Sequence, residues 1–151
     1  MRLTLNILRK FFALAFLSMI VMSIPDVEAD KEPIWSWSSS SPVTNVAISS
    51  DSINLSATYG QSLSLWKNGT SSPYNTKTLS QGISYMEMSS NGMYVLTGEE
   101  TNKLTLWQDG TKVWDKGGFL NGLYGIDISS DGSNITAVDR RNVYFFDKGS
   151  N

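Results

Sequence analysis

The chain has 151 residues, 12 of them basic and 14 acidic, with no histidine and no cysteine. Its formal charge is −2, and beyond the N-terminal segment Arg140-Arg141 is the one adjacent basic pair, so there is no stripe of positive charge for a nucleic-acid backbone. The missing residue types exclude Ser-His-Asp and Cys-His catalysis, imidazole and thiolate zinc sites, disulfides and cysteine-linked lipid.

Arg2, Arg9 and Lys10 lead into an apolar run at residues 11–24 that stops at Pro25. That run falls short of the roughly 20 residues that span a bilayer. Val27-Glu28-Ala29 places β-branched and small side chains where a signal peptidase reads. Residues 1–29 therefore read as a secretory signal peptide cut after Ala29, with no stable membrane insertion afterwards. An uncleaved anchor is the alternative. Residues 30–151 are enough for one small domain with a core, held by packing alone or by association.

From here the chain repeats itself. The stretches VAISSD, YMEMSSNG and GIDISSDG place Ser49, Ser89 and Ser129 at intervals of 40 residues. A second landmark, LSLWKNGT, LTLWQDGT and VYFFDKGS, brings Trp66, Trp107 and Phe146 at intervals of 41 and 39. A fixed period near 40 signals stacked supersecondary units.

Each unit reads as β. Val46/Ile48, Met86/Met88 and Ile126/Ile128 alternate with other residues in a first strand. Leu55/Ala57, Val95/Thr97 and Ile135/Ala137 do so in a second, and Leu63/Leu65, Leu104/Leu106 and Val143/Phe145 in a third. Asp51-Ser52, Asn91-Gly92 and Asp131-Gly132 are predicted to close the first hairpin; Asn68-Gly69, Asp109-Gly110 and Lys148-Gly149 follow the third strand. Tyr74 and Trp114 mark a fourth, outer strand, and residues 33–38, with Trp35 and Trp37 on one side, take the matching place before the first repeat. The prediction is an all-β, propeller-like array of three four-stranded antiparallel blades, around residues 43–78, 83–115 and 123–149. Only Ser150 and Asn151 follow the last Lys-Gly turn, so the third blade is expected without its outer strand.

The pattern V-x-I-S-x-D-G, a strand, then an apolar residue-x-L-W-x-x-G resembles the WD-repeat and quinoprotein-like β-propeller superfamily, and most of all the divergent repeats of exported prokaryotic propellers. The resemblance covers residues 34–149. The Gly-His and Trp-Asp dipeptides of strict WD repeats are absent, so their side-chain network is not expected here. Propellers that this chain resembles close into rings of 4–8 blades. Three blades leave three completions: a homodimer forming a six-bladed ring, a piece of a longer propeller, or an open wedge.

Glu87 and Asp127 share one repeat position on the strand expected to line the axis, where Ala47 is their counterpart. They form a candidate binding pair for a cation or a cationic ligand group; a metal site is not expected, because calcium wants about 6–8 oxygens. A glycosidase pair would need two carboxyls flanking one sugar bond, and no enzyme or cofactor is expected. The loop residues Asn91, Glu99, Glu100, Asp131, Arg140 and Arg141 are further binding candidates. Asn54, Asn68 and Asn134 head N-x-S/T sequons. The expected function is a non-catalytic, secreted or cell-surface interaction module whose loops meet a protein or glycan partner. The alternative is a truncated piece of a larger propeller enzyme or quinone-binding protein.

Overall fold

The computed structural model describes residues 31–120 and 122–149; the signal-peptide reading lies outside them. The described residues from Trp35 onward form one compact unit. Within it β1 (Val43–Ile48), β2 (Asn54–Tyr59), β3 (Ser62–Lys67) and β4 (Asn75–Thr78) make the first antiparallel blade in that order. The second comprises β5 (Ile83–Met88), β6 (Tyr94–Glu99), β7 (Lys103–Gln108) and β8 (Thr111–Lys116). The third has three strands, β9 (Gly125–Ile128), β10 (Asn134–Val138) and β11 (Val143–Asp147). The first strands touch in series, β1 to β5 to β9, and so define the inner edge of the stack.

The thrice-repeated serine motif is a hydrogen-bonded knot that closes the first hairpin of each blade. Ser49 Oγ donates to Asp51 at 2.6 Å and accepts the Asn54 N–H at 2.9 Å. Ser89 does the same with Asn91 and Tyr94, and Ser129 with Asp131 and Asn134. The Asx side chain in turn accepts the N–H of Ile53, Met93 or Ser133 at 3.0 Å. Serine and Asx are favoured here because they satisfy local backbone groups that the turn leaves free. The knots also tie blade to blade: Ser50 N–H donates to the Ser90 carbonyl at 2.9 Å and Asn91 N–H to the Ser130 carbonyl at 3.2 Å. The Asp109-Gly110 turn, with φ of 51° and 75°, is the two-residue hairpin that its sequence predicts.

Two apolar layers fill the spaces between blades. Leu63 and Leu65 of blade 1 meet Met86, Val95 and Trp107 of blade 2. Leu96, Leu104 and Leu106 on the other face of blade 2 meet Ile128, Ile135 and Ala137 of blade 3.

One expectation needs correction. Residues 33–38 carry no strand, because none of the described sheet edges pairs with them. Trp37 packs on Tyr59 and Trp66 instead, with ring centroids 5.1 Å away in each case, and Trp35 stacks on Trp66 at 6.4 Å. Blade 3 has three strands among the described residues, as its sequence predicts, with β11 neighboured on one side only.

The chain has no histidine, and one repeat position carries hydrogen bonds of three different chemistries. Tyr59 to Ser64 (2.9 Å), Glu99 to Thr105 (2.9 Å) and Asp139 to Tyr144 (2.8 Å) join the second and third strands at the same place in the three blades. In blade 2, Trp107 Nε1 also donates to Thr97 Oγ1 at 2.9 Å. In blade 3, Ala137 and Phe146 occupy those two positions and nothing needs pairing. Blade 1 combines Trp66 with Ala57, which leaves the buried Trp66 Nε1 without a partner. A buried N–H left unpaired costs about 1–3 kcal/mol. Ala57→Ser, which offers a hydroxyl where Thr97 has one, is expected to raise stability by about 1 kcal/mol in urea unfolding. An unchanged midpoint would show that the serine hydroxyl does not reach the indole N–H.

Candidate interaction site

The hairpins sort the candidate residues to opposite ends of the stack. Asn91 and Asp131 belong to the serine knots at one end. Glu99 ends the second strand of blade 2, and Glu100, Arg140 and Arg141 follow the second strands, at the other end. Glu87 and Asp127 lie between, on the adjacent inner strands β5 and β9.

Glu99 is buried rather than displayed. Its Oε1 accepts the Thr105 hydroxyl, and Lys103 Nζ lies 3.1 Å from Oε2. It borders a cleft of about 330 Å³ between blades 1 and 2, together with Lys77, Lys112 and Trp107. Glu100 is exposed, and its N–H donates to the Gly82 carbonyl, tying the second blade's hairpin to the preceding connection. Of the sequon residues, Asn68 and Asn134 are exposed, while the Asn54 amide packs against Gly92 of the next blade.

Arg140 and Arg141 stand on a fixed base. Asp139 accepts the N–H groups of Arg141 and Asn142, each at 2.8 Å, and the Tyr144 hydroxyl at 2.8 Å. Tyr144 packs edge-on against Phe119, 5.0 Å away, and so anchors the connection at residues 117–124. Leu123 N–H donates to Asn102 Oδ1 and Tyr124 N–H to the Val138 carbonyl, which lays this connection beside both neighbouring hairpins. Phe119 and Leu123 point into the core, whereas Leu120 is 92% and Tyr124 58% exposed. One end of blades 2 and 3 thus gathers Leu120, Tyr124, Arg140 and Arg141. Sequence reading found the arginines and missed the other two. The available signal was Asp139-Arg-Arg-Asn142, an Asx-type turn at the repeat position of Glu99.

The Arg141 N–H first, then the Tyr144 hydroxyl and the Asn142 groups, hold the Asp139 carboxyl down at about 2. The Ser133 N–H and the Ser129 and Ser133 hydroxyls do the same for Asp131, also at about 2. A depressed carboxylate supports the fold fully above its ordinary pKa and loses that support as pH falls toward the lowered value. Acid is therefore expected to loosen both hairpins between about pH 4 and pH 2, seen as sharpening amide resonances at residues 131–133 and 139–142. Asp139→Asn should abolish the acid response of the second segment alone; a response that survives it would show that Asp139 is not the group titrating.

Glu87 is shifted the other way. Partial burial first, and the charge of Asp127 second, raise its carboxyl above the ordinary range. The pair is mutually repulsive, so a cation would relieve it, but no group of three metal-ligating side chains occurs among the described residues. Asp127→Asn is expected to move the Glu87 titration, followed by carboxyl NMR, part of the way back. An unmoved Glu87 would show that the two carboxylates do not sense each other.

No protein-family model matches the chain, and no curated protein does. Solved structures do. The RRP9 WD40 repeats match at a TM-score of 0.65 and 13% identity, over 74% of this chain and 37% of that one. U3-55K matches with the same values. The Cps50 (Swd1) β-propeller domain of Myceliophteria thermophila matches at 0.66 and 18%, over 80% of this chain and 40% of that one. The chain thus spans about two-fifths of the length of these propellers, and its fold is that of a WD-repeat-like β-propeller.

Proposed function

We propose that the chain is a non-catalytic interaction module of the exported, divergent WD-repeat type, working at the cell surface or outside the cell. The observation that carries this reading is the loop end of blades 2 and 3. Exposed Leu120 and Tyr124 sit there beside Arg140 and Arg141, on hairpins fixed by Asp139 and Asn102. Aromatic and arginine side chains on a rigid base are the usual anchors of protein–protein contacts. The chemistry favours a protein partner over a glycan, with acidic groups for the arginines and an apolar side chain for Leu120 and Tyr124. The N-terminal segment supports export, and the lack of histidine and cysteine supports a role without catalysis.

A second reading is supported by the share of the matched propellers that the chain covers, 37–40%. On it, these blades are part of a larger propeller enzyme or quinone-binding protein. A bound chromophore in the purified protein would favour that reading over the first.

The test is affinity capture from intact cells with the full chain and with a Tyr124→Ala/Arg140→Ala/Arg141→Ala variant, quantified by mass spectrometry. All three side chains are exposed, so the variant is expected to fold as the parent does. At least one captured protein should fall roughly tenfold or more, which corresponds to about 1.4 kcal/mol. Equal capture of every protein by both would sink the assignment of this end as the working surface.

A further inference from the structure

We propose that the open faces of blades 1 and 3 are the two halves of one interface, and that the occupant of each is a second copy of this chain, stacked head to tail. This stands independently of the partner assigned to the loop end.

Each blade has a forward face, turned to the next repeat, and a back face, turned to the previous one. On the forward faces Leu63 (0%) and Leu65 (4%) of blade 1, and Leu104 (0%) and Leu106 (0%) of blade 2, are sealed by the following blade. The same positions in blade 3 are Val143 and Phe145, exposed at 77% and 70%. On the back faces the preceding blade covers Met86 (5%) and the half-buried Met88 of blade 2, and the half-buried Ile126 and the buried Ile128 (9%) of blade 3. In blade 1 this inner-strand pair is Val46 and Ile48, exposed at 69% and 59%. The exposed residues keep the apolar character of their buried counterparts. A solvated sheet face would be expected to alternate to polar residues instead.

The occupant follows from what already covers such a face. The chain makes this interface twice internally, forward face against back face, and both halves of a third remain on its own surface. In the first internal interface Leu65, Met88 and Val95 line one small void. The corresponding set across two copies is Phe145 of one with Ile48 and Leu55 of the other. The backbone line that ties the serine knots, Ser50 to Ser90 and Asn91 to Ser130, extends in the same direction. Its next link runs from the Ser130-Asp131 turn of one copy to the Ser50 carbonyl of the other. The outer part of the blade 1 back face is already capped by Trp35 and Trp37 over Trp66, which leaves the inner strand β1 as the area to be covered. Two copies joined at both ends close into six blades, within the range of known propeller rings.

The chain has no cysteine, so an engineered pair reports contact without background. Full-length chain carrying Ile48→Cys and Phe145→Cys is expected to form a covalent dimer on mild oxidation at micromolar concentration. Chains carrying one substitution each should crosslink only when mixed. Light scattering should give twice the chain mass for the parent, and Phe145→Lys, at an exposed position that leaves the internal layers intact, should return it to the monomer with unchanged circular dichroism. Three results would overturn the proposal. The parent runs as a monomer at every concentration; the Phe145→Cys chain crosslinks to itself as readily as to the Ile48→Cys chain; or Phe145→Lys leaves the dimer intact.

Discussion

A single serine hydroxyl organises each repeat. It donates to an Asx side chain two residues on and accepts an N–H five residues on, so one oxygen fixes both limbs of the first hairpin. The rest of the blade depends on that hairpin. It sets which residues of the first two strands share a face, since a slip of one residue would invert every side chain. It also presents backbone groups to the next blade at a fixed height, through Ser50 to Ser90 and Asn91 to Ser130. The apolar layers then need only fill a gap whose registration is already set. Ser89 is fully buried, and its oxygen is satisfied on both sides, which is what a hydroxyl in an apolar interior requires.

The second level of organisation shows geometry outlasting residue identity. Tyr–Ser, Glu–Thr and Asp–Tyr bridge the same two strands at the same place in three blades, at 2.8–2.9 Å. What persists is one oxygen acceptor or hydroxyl on the second strand facing one hydroxyl on the third. Thr97 with Trp107 and Ala137 with Phe146 follow the same logic: a hydroxyl is present where an indole N–H must be satisfied and absent where a phenyl ring needs none. Blade 1 breaks that rule with Ala57 beneath Trp66, in the blade whose back face is capped only at its outer part, by a strandless segment instead of a neighbouring sheet.

The fold was legible because its signals are local and repeated. The alternation of Val95/Thr97 or Leu104/Leu106 and the turn at Asp109-Gly110 carry their own physics, and three copies in step raise each above chance. The side-chain bridges were not legible, because Tyr59, Glu99 and Asp139 share no residue type that would mark them as one position. Glu99 looked like a loop acid for a related reason. It lies next to the turn, and nothing in its neighbours says that Thr105 and Lys103 will fold over it. The segment at 33–38 was misread as a strand because alternation of Trp35 and Trp37 records a shared face. A strand also needs an edge to pair with, and sequence alternation says nothing of one.

The candidate interaction site lies where the repeat fails. The connection from blade 1 to blade 2 is residues 79–82, whereas that from blade 2 to blade 3 is residues 117–124 and carries Leu120 and Tyr124. Arg140 and Arg141 stand at positions that Glu100 and Thr101 hold one repeat earlier. Residues that recur at the period are accounted for by stacking, hairpin closure or strand bridging. Those that depart from it at this end are exposed, yet they rest on the most heavily hydrogen-bonded turn of the chain, with Asp139 taking up two backbone N–H groups and a tyrosine hydroxyl. The same hydrogen bonds that stabilise this turn hold it in one shape in the free protein. What rigidity gives is a surface whose ordering cost is already met before a partner arrives, which is the condition for specific binding by a small patch.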